Sequence, residues 1–257
     1  MMTSLLALSL FTTEAQADSF EFRKSSDAAA TRGLLLPSAE TLNKGEFSIS
    51  SIEILFASAS YGITDNVTMS FSSIIPILPG LIPFMGLLSA KFKLVSNPRF
   101  MFAVQPSIFV FPQMAGAGII GVQLTSDFAL TEDGKWLLTL AANPQFIYAD
   151  VDTGGSSDVD GVDDGLQIAQ GAGGLLGAGI QGRVHNRVNV MAEVFLPGSI
   201  AFESGDFALV DELTMLNAGV RFPNKNVTFD ISLVRPLLST DFTVLGIPFV
   251  SATGRFQ

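Results

Sequence analysis

The chain has no cysteine, one histidine and one tryptophan, and only 15% of its 257 residues are charged. Without cysteine there is no disulfide framework, no thiolate nucleophile and no cysteine-type zinc site. The one imidazole, His185, lies between Val184 and Asn186 in a stretch that reads as a tight turn. Hydrolysis needs a base beside a nucleophile, held by a third group. A solvated turn residue is the simpler reading of His185, so the chain reads as a non-enzyme. Basic residues are also scarce: 14 Lys and Arg against 24 Asp and Glu give a formal net charge of −10. Nucleic-acid binding is excluded on that ground, because phosphate contacts need clustered cations.

Uninterrupted apolar runs are missing too. A membrane helix needs roughly 20 consecutive apolar residues. The best uncharged window, 67–90, is broken by Pro76, Pro79 and Pro83, and three prolines so close together disrupt a helix. The window 165–182 has Gly173 and Gly177 at helix-pairing spacing but few large apolar side chains. Membrane helices are therefore excluded as well.

What remains is an apolar chain of another kind. Hydrophobic residues make up 48% and mean hydropathy is +0.45, with 24 Gly, 12 Pro and 22 Phe. Alternation with period two runs through it. Lys91 and Lys93 alternate with Ala90, Phe92 and Leu94. Phe100, Phe102, Val104 and Ile108 oppose Met101, Ala103, Gln105 and Ser107. Thr139, Ala141, Asn143 and Gln145 oppose Leu138, Leu140, Ala142 and Phe146, and Val227, Phe229, Ile231 and Leu233 oppose Thr228, Asp230 and Ser232. Successive side chains of a strand point to opposite faces, so each stretch has one apolar and one polar or small face.

Short breaks at 64–66, 96–98, 132–135, 185–186 and 223–226 alternate with longer Gly-, Pro- and Asp-rich stretches at 75–85, 111–117, 150–170, 197–211 and 236–242. In an up-and-down sheet alternate connections emerge at the same end, so one end is trimmed and the other elaborate, as in outer-membrane barrels. Tyr61, Phe100, Trp136 and Phe222 sit beside short breaks, and Tyr148, Phe195 and Phe249 lie toward the long ones. Two aromatic bands suit anchoring at two membrane interfaces.

Eleven strands follow from residue 51: 51–62, 67–74, 86–95, 99–110, 117–129, 136–149, 171–184, 187–196, 212–222, 226–235 and 243–256. A barrel without an edge in lipid calls for an even number. The expected twelfth is 31–38, "TRGLLLPS", with Pro37 at its end. The expected fold is thus all-β, a closed antiparallel transmembrane barrel of about 12 strands, with short periplasmic turns and long extracellular loops. An apolar run from Leu5 to Phe11 followed by "AQA" predicts a signal peptide over 1–17. Residues 18–30 then read as a periplasmic segment and 31–257 as the barrel domain.

Residues 31–72 resemble the opening of a family of uncharacterised Gram-negative outer-membrane β-barrel proteins. The resemblance rests on Arg32, on Pro37–Ala39, on the Leu-x-Lys-Gly of Leu42–Gly45, and on the Tyr-Gly-Ile-Thr-Asp of Tyr61–Asp65. It covers about a sixth of the chain. It implies a location in the outer membrane, with the lipid bilayer and the outer-membrane assembly machinery as partners, and it names no substrate. Such barrels usually end in an aromatic residue; here Phe256 is followed by Gln257.

The polar faces would line a lumen with Lys91, Lys93, Gln105, Asn143, Gln145, Gln181, Arg183, Glu193, Arg221 and Asp230. A Lys or Arg facing lipid at mid-membrane would cost about 2–4 kcal/mol, which turns these residues inward. Phe92, Phe102 and Phe229 then face lipid. Such a lumen either passes small solutes, or is closed by paired charges in a structural or surface-interaction barrel. A soluble, exported all-β binding protein is the third reading. The acidic stretch 150–165 carries an Asp-x-Asp-Gly core. Asp158, Asp160 and Asp163 are its calcium candidates, although Ser156 and Gln167 at the first and twelfth positions break the EF-hand pattern. The alternative is a solvated acidic loop at the extracellular end. No other cofactor is expected.

Overall fold

A computed structural model describes residues 23–52, 56–74, 86–110, 118–151, 167–200, 207–209, 214–237 and 246–257. The predicted leader 1–17, the calcium candidates Asp158, Asp160 and Asp163, and most of the long connections lie outside the described residues.

Among the described residues thirteen strands follow one another. The first six are β1 (Phe47–Ile52), β2 (Phe56–Thr64), β3 (Val67–Ile74), β4 (Gly86–Asn97), β5 (Phe100–Val110) and β6 (Gly118–Ala129). Next come β7 (Trp136–Val151), β8 (Gln167–His185), β9 (Val188–Ile200) and β10 (Phe207–Leu209). The last three are β11 (Met215–Phe222), β12 (Val227–Pro236) and β13 (Ile247–Phe256). Each pairs antiparallel with its neighbour, and β1 pairs with β13 from Phe47↔Phe256 to Ile52↔Ser251. The strand β9 joins β8 on one side and β11 on the other. The sheet is therefore closed by twelve strands. The three-residue β10 is an extra piece paired only with the end of β9, Phe207↔Ile200.

Closure satisfies the strand hydrogen bonds within the sheet, the condition for crossing lipid on strands. Among the described residues no helix is long and apolar enough to cross a membrane. Along β12 exposure alternates strictly, with Val227, Phe229, Ile231 and Leu233 outside and Thr228, Asp230, Ser232 and Val234 buried. The outer surface also exposes Ile49, Phe71, Leu88, Phe92, Leu94, Ile120, Ile180 and Val250. An apolar surface running all round a closed sheet is not that of a soluble domain. It is a membrane barrel.

The start of the chain departs from the sequence reading. The predicted strand 31–38 is not a wall strand. Gly33 N donates to Leu36 O at 2.6 Å, Ser38 N donates to Thr31 O at 3.1 Å, and Arg32 bridges to Pro37, so the stretch folds back on itself. Three successive leucines have no polar face, and a half-buried wall strand needs one. The twelfth strand is instead β1, which begins before the predicted strand 51–62 and shares only residues 51 and 52 with it, the rest of that prediction falling largely on β2. Residues with small side chains ("SISS", "ASAS") hid the two strands, because they give no strong periodic signal. The predicted periplasmic segment 18–30 is corrected as well, for residues 23–30. Ala28, Ala29 and Ala30 are buried, as are Leu34, Leu36, Ala39 and Leu42 further along. Residues 23–46 run inside the barrel, where the cores also sit: Ala39 packs with Met101, Ala103 and Leu137, and Leu36 with Ala141 and Phe195. Phe195 is thus an inner residue, not a member of an outer aromatic band, because it shares the phase of Met191 and Glu193 on β9.

Candidate functional site: the lumen and its resident segment

The inner face is built by strand alternation, and its charged members converge on the N-terminal segment. Arg221 on β11 is fully buried. Its Nε and Nη2 donate to the two Asp230 oxygens at 2.7 and 3.1 Å, a two-pronged pair across β11 and β12. Its Nη1 also reaches Asp27 Oδ2 at 3.2 Å and the carbonyls of Ala29 and Arg32 at 3.1 and 2.9 Å. Asp230 in turn pairs with Arg32 of the segment at 2.9 Å and accepts from Ser251 Oγ at 2.9 Å. Buried charges persist when paired and hydrogen-bonded, and this cluster is both.

Glu193 on β9 holds the fold-back. Its Oε1 accepts from Leu34 N at 2.6 Å, and its Oε2 from Leu35 N at 2.8 Å and Leu36 N at 3.3 Å. Successive backbone N–H groups form such anion cradles. Here the anion is supplied by the wall. On the other side Lys91 Nζ donates to the carbonyls of Thr31, Ser38 and Glu40 at 3.0, 2.9 and 3.2 Å. Lys93 meets Glu40 at 2.8 Å, and Lys24 meets the same carboxylate at 3.3 Å. Five of the ten predicted inner residues, Lys91, Lys93, Glu193, Arg221 and Asp230, therefore contact the segment, while Gln105 Nε2 donates to Ser89 Oγ at 2.9 Å. Gln181 is buried, while Asn143, Gln145 and Arg183 are half-buried.

Sequence reasoning passed over several partners. Asp127 is fully buried, accepts from Ala39 N at 2.9 Å and Thr139 Oγ1 at 2.6 Å, and lies 3.7 Å from Arg23. Its signal was available, since Gln123, Thr125 and Asp127 alternate along β6. Arg255 donates to the carbonyls of Lys24 and Asp27, and shares the phase of Ser251 and Thr253 on β13. Thr228 accepts from Ala28 N at 3.1 Å and donates to Asp27 at 2.8 Å. Thr68 accepts from Leu42 N at 2.9 Å.

Away from these contacts one part of the described wall is uncharged. A register row runs Ser48↔Ser60, Ser60↔Ser70, Ser70↔Ser89, Ser89↔Ser107 and Ser107↔Gly121, across β1 to β6. The Ser60 and Ser70 hydroxyls are 2.8 Å apart. A Cβ at Gly121 would meet Asn143 Oδ1, Gln145 Cγ and Ser107 Oγ at 3.1–3.3 Å, which gathers these side chains at one place. Below the segment, at the short-turn end, lies a polar cavity of about 650 Å³ lined by Lys24, Glu40, Glu46, Lys93, Lys225 and Arg255, among others.

On the outside, Tyr61, Trp136 and Phe222 are exposed beside short turns, and Phe100 packs against Phe128 with ring centroids 5.0 Å apart. Trp136 lies over Gly182, where a Cβ would meet its ring at 2.4 Å. His185 is an exposed turn residue whose Nδ1 accepts from Arg187 N at 3.3 Å. Among the described residues no cluster of acidic, His or Cys side chains could hold a metal ion.

No protein-family model and no curated protein matches the chain. Solved structures similar to it include a KdgM porin in complex with disordered oligogalacturonate, at 9% identity and a TM-score of 0.49, covering 82% of this chain and 97% of that one. A NanC porin is 7% identical with a TM-score of 0.46, covering 82% and 98%. The CymD monoaromatic hydrocarbon channel is 10% identical with a TM-score of 0.40, covering 94% and 93%.

Proposed function

We propose that this chain is an outer-membrane barrel of a Gram-negative bacterium that passes small solutes passively. The observation that carries the reading is the serine row with Gln105, Asn143 and Gln145: a hydroxyl and carboxamide wall of short side chains, inside a sheet whose outside is apolar. A barrel that is only a structural body gains by filling its interior with apolar side chains, which pack without unmet polar groups. Small polar side chains instead leave room and offer exchangeable hydrogen bonds. The bilayer is the partner of the outer surface, with Tyr61, Phe100, Trp136 and Phe222 as anchors at the short-turn interface. The assembly machinery is its partner in biogenesis, and catalysis has no place in this reading.

The rival is a closed structural or surface-interaction barrel. The buried ions around Arg221 favour it, because they fix chain inside the lumen. Reconstitution decides between them. Purified protein in planar bilayers should give discrete conductance steps, and proteoliposomes should swell in small neutral sugars. A heat-modifiable, folded barrel that does neither is a closed barrel.

A further inference from the structure

We propose that residues 23–46 are a displaceable gate, hinged at Lys44–Gly45 and latched by the Arg221–Asp230 pair and by Glu193. The proposal deepens the channel reading and rests on it. Three observations carry it. First, the segment occupies the lumen without belonging to the sheet: it gives no strand to the wall, and between Arg23 and Leu42 its hold is mainly through side chains of the wall, with one backbone bond from Ala28 N to Asn224 O at 2.8 Å. Arg221, Asp230, Glu193, Asp127 and Lys91 take up its backbone groups and its charges. A body held this way has two discrete states, docked and undocked, and a few contacts set the balance between them.

Second, among the described residues the segment joins the wall at a turn that β2 holds, with Gly45 N donating to Gly62 O at 2.8 Å, so that the residues before the turn can move while the turn stays with the sheet. Gly45 has φ +82°, in the left-handed region that glycine adopts without strain, and a Cβ there would meet nothing within 4 Å. Lys44 and Gly45 are exposed, and β1 begins two residues later. The 650 Å³ polar cavity lies on that same side and is lined by Lys24, Glu40 and Glu46 of the segment. Withdrawal toward the short-turn end therefore moves charged groups into polar space.

Third, the inner tip carries no charge of its own, and its polar hold on the wall is the Glu193 carboxylate, which accepts from Leu34, Leu35 and Leu36 N. Leu36 rests against Ala141 and Phe195 and over Gly177, where a Cβ would meet Leu36 Cδ2 at 2.4 Å. Withdrawal of the tip exchanges the three N–H donors on Glu193 for water, which makes that carboxylate a latch on the docked state.

The test is single-channel recording of four proteins, each first shown to be a heat-modifiable barrel. The full chain should open rarely. Deletion of residues 24–42 should give a larger, steady conductance. Glu193→Gln weakens one latch and should raise the open fraction on the order of tenfold, as expected when about 1.4 kcal/mol of docked-state preference is lost. The pair Ala28→Cys with Thr228→Cys provides the only cysteines in the chain. Ala28 N and Thr228 Oγ1 are 3.1 Å apart, so the oxidised form should stay closed and reduction should restore opening. The tether keeps the proposal testable if the deletion does not assemble. Equal conductance in the deletion and the full chain, or free opening of the oxidised tether, overturns the gate and leaves the channel standing. Silence of a folded deletion barrel overturns both.

Discussion

The two ends of the lumen are made of different chemistry. Toward the short turns the wall carries Lys91, Lys93, Asp127, Glu193, Arg221, Asp230 and Arg255, and the segment brings Arg23, Lys24, Asp27, Arg32 and Glu40 to meet them. Toward the long connections the wall turns to Ser89, Ser107, Gly121, Gln105, Asn143 and Gln145. The step is sharp: on β4, Ser89 and Lys91 are successive inner residues, one in the serine row and the other bonded to three segment carbonyls. Charge is placed where the chain must hold part of itself, joined there by the hydroxyls of Thr68, Thr228, Ser251 and Thr253, and the serine row lies apart from those contacts. On the proposed channel reading, stability and passage are assigned to different zones of one barrel.

The largest expected effect is at the charged end. Arg221→Ala leaves Asp230 with one fewer cation and opens a hole beside Asp27, and breaking a buried pair typically costs about 3–5 kcal/mol. Denaturant titration of the folded barrel should show that loss. An unchanged midpoint would mean that the two zones do not differ in what they stabilise.

Next comes the outer face. Phe102 is half-buried on the outer side of β5, opposite in phase to Gln105. Phe102→Arg should impair assembly by about 2–4 kcal/mol if it lies near the midplane, whereas Gln105→Arg should be tolerated. The reverse order in a membrane-insertion assay would turn the inner and outer faces around.

A smaller effect is expected at the serine row. Ser70→Ala removes one half of the Ser60–Ser70 hydroxyl pair, for a loss of about 0.5–1.5 kcal/mol. Ser70→Asp places a charge in the uncharged zone, and cation over anion selectivity in bilayer recordings should rise. Unaltered selectivity would show that the row does not line the path.

The smallest effect belongs to the turn between β6 and β7. Hydrogen bonds from the Lys135 and Thr131 side chains hold the exposed Asp133 carboxyl well below the usual carboxylate range. A depressed folded-state pKa gives stability that is present above the unfolded pKa and lost as pH falls through the folded one. Because the group is fully exposed and screened, Asp133→Asn should leave the denaturation midpoint at neutral pH unchanged within error. A clear drop would show the turn to be part of the stabilising zone.

The contrast between the zones also explains what could be read in the sequence. Strands from β3 onward announced themselves by alternation, as in "VTFDISLV", where one face is apolar and the other polar. The partners of the charged faces did not. Arg221 and Asp27 are 194 residues apart, and Lys91 and Ser38 are 53 apart. No local period links such pairs. The leucines at 34–36 could be read as a buried strand or as a packed tip, and periodicity alone does not separate the two. Only the even-strand rule, applied to the wrong segment, made a strand of them. Once β1 and β2 are counted separately the rule is met without residues 31–38, which frees that stretch to enter the lumen.

Cysteine labelling tests this placement most directly, because the chain has no cysteine of its own. Ala39 is fully buried against the inner wall, and Lys44, five residues on, is exposed. In the folded, detergent-solubilised barrel a bulky membrane-impermeant maleimide should modify Lys44→Cys rapidly. It should leave Ala39→Cys unmodified until the protein is denatured. Equal labelling of the two positions, with the barrel still heat-modifiable, would contradict a resident N-terminal segment.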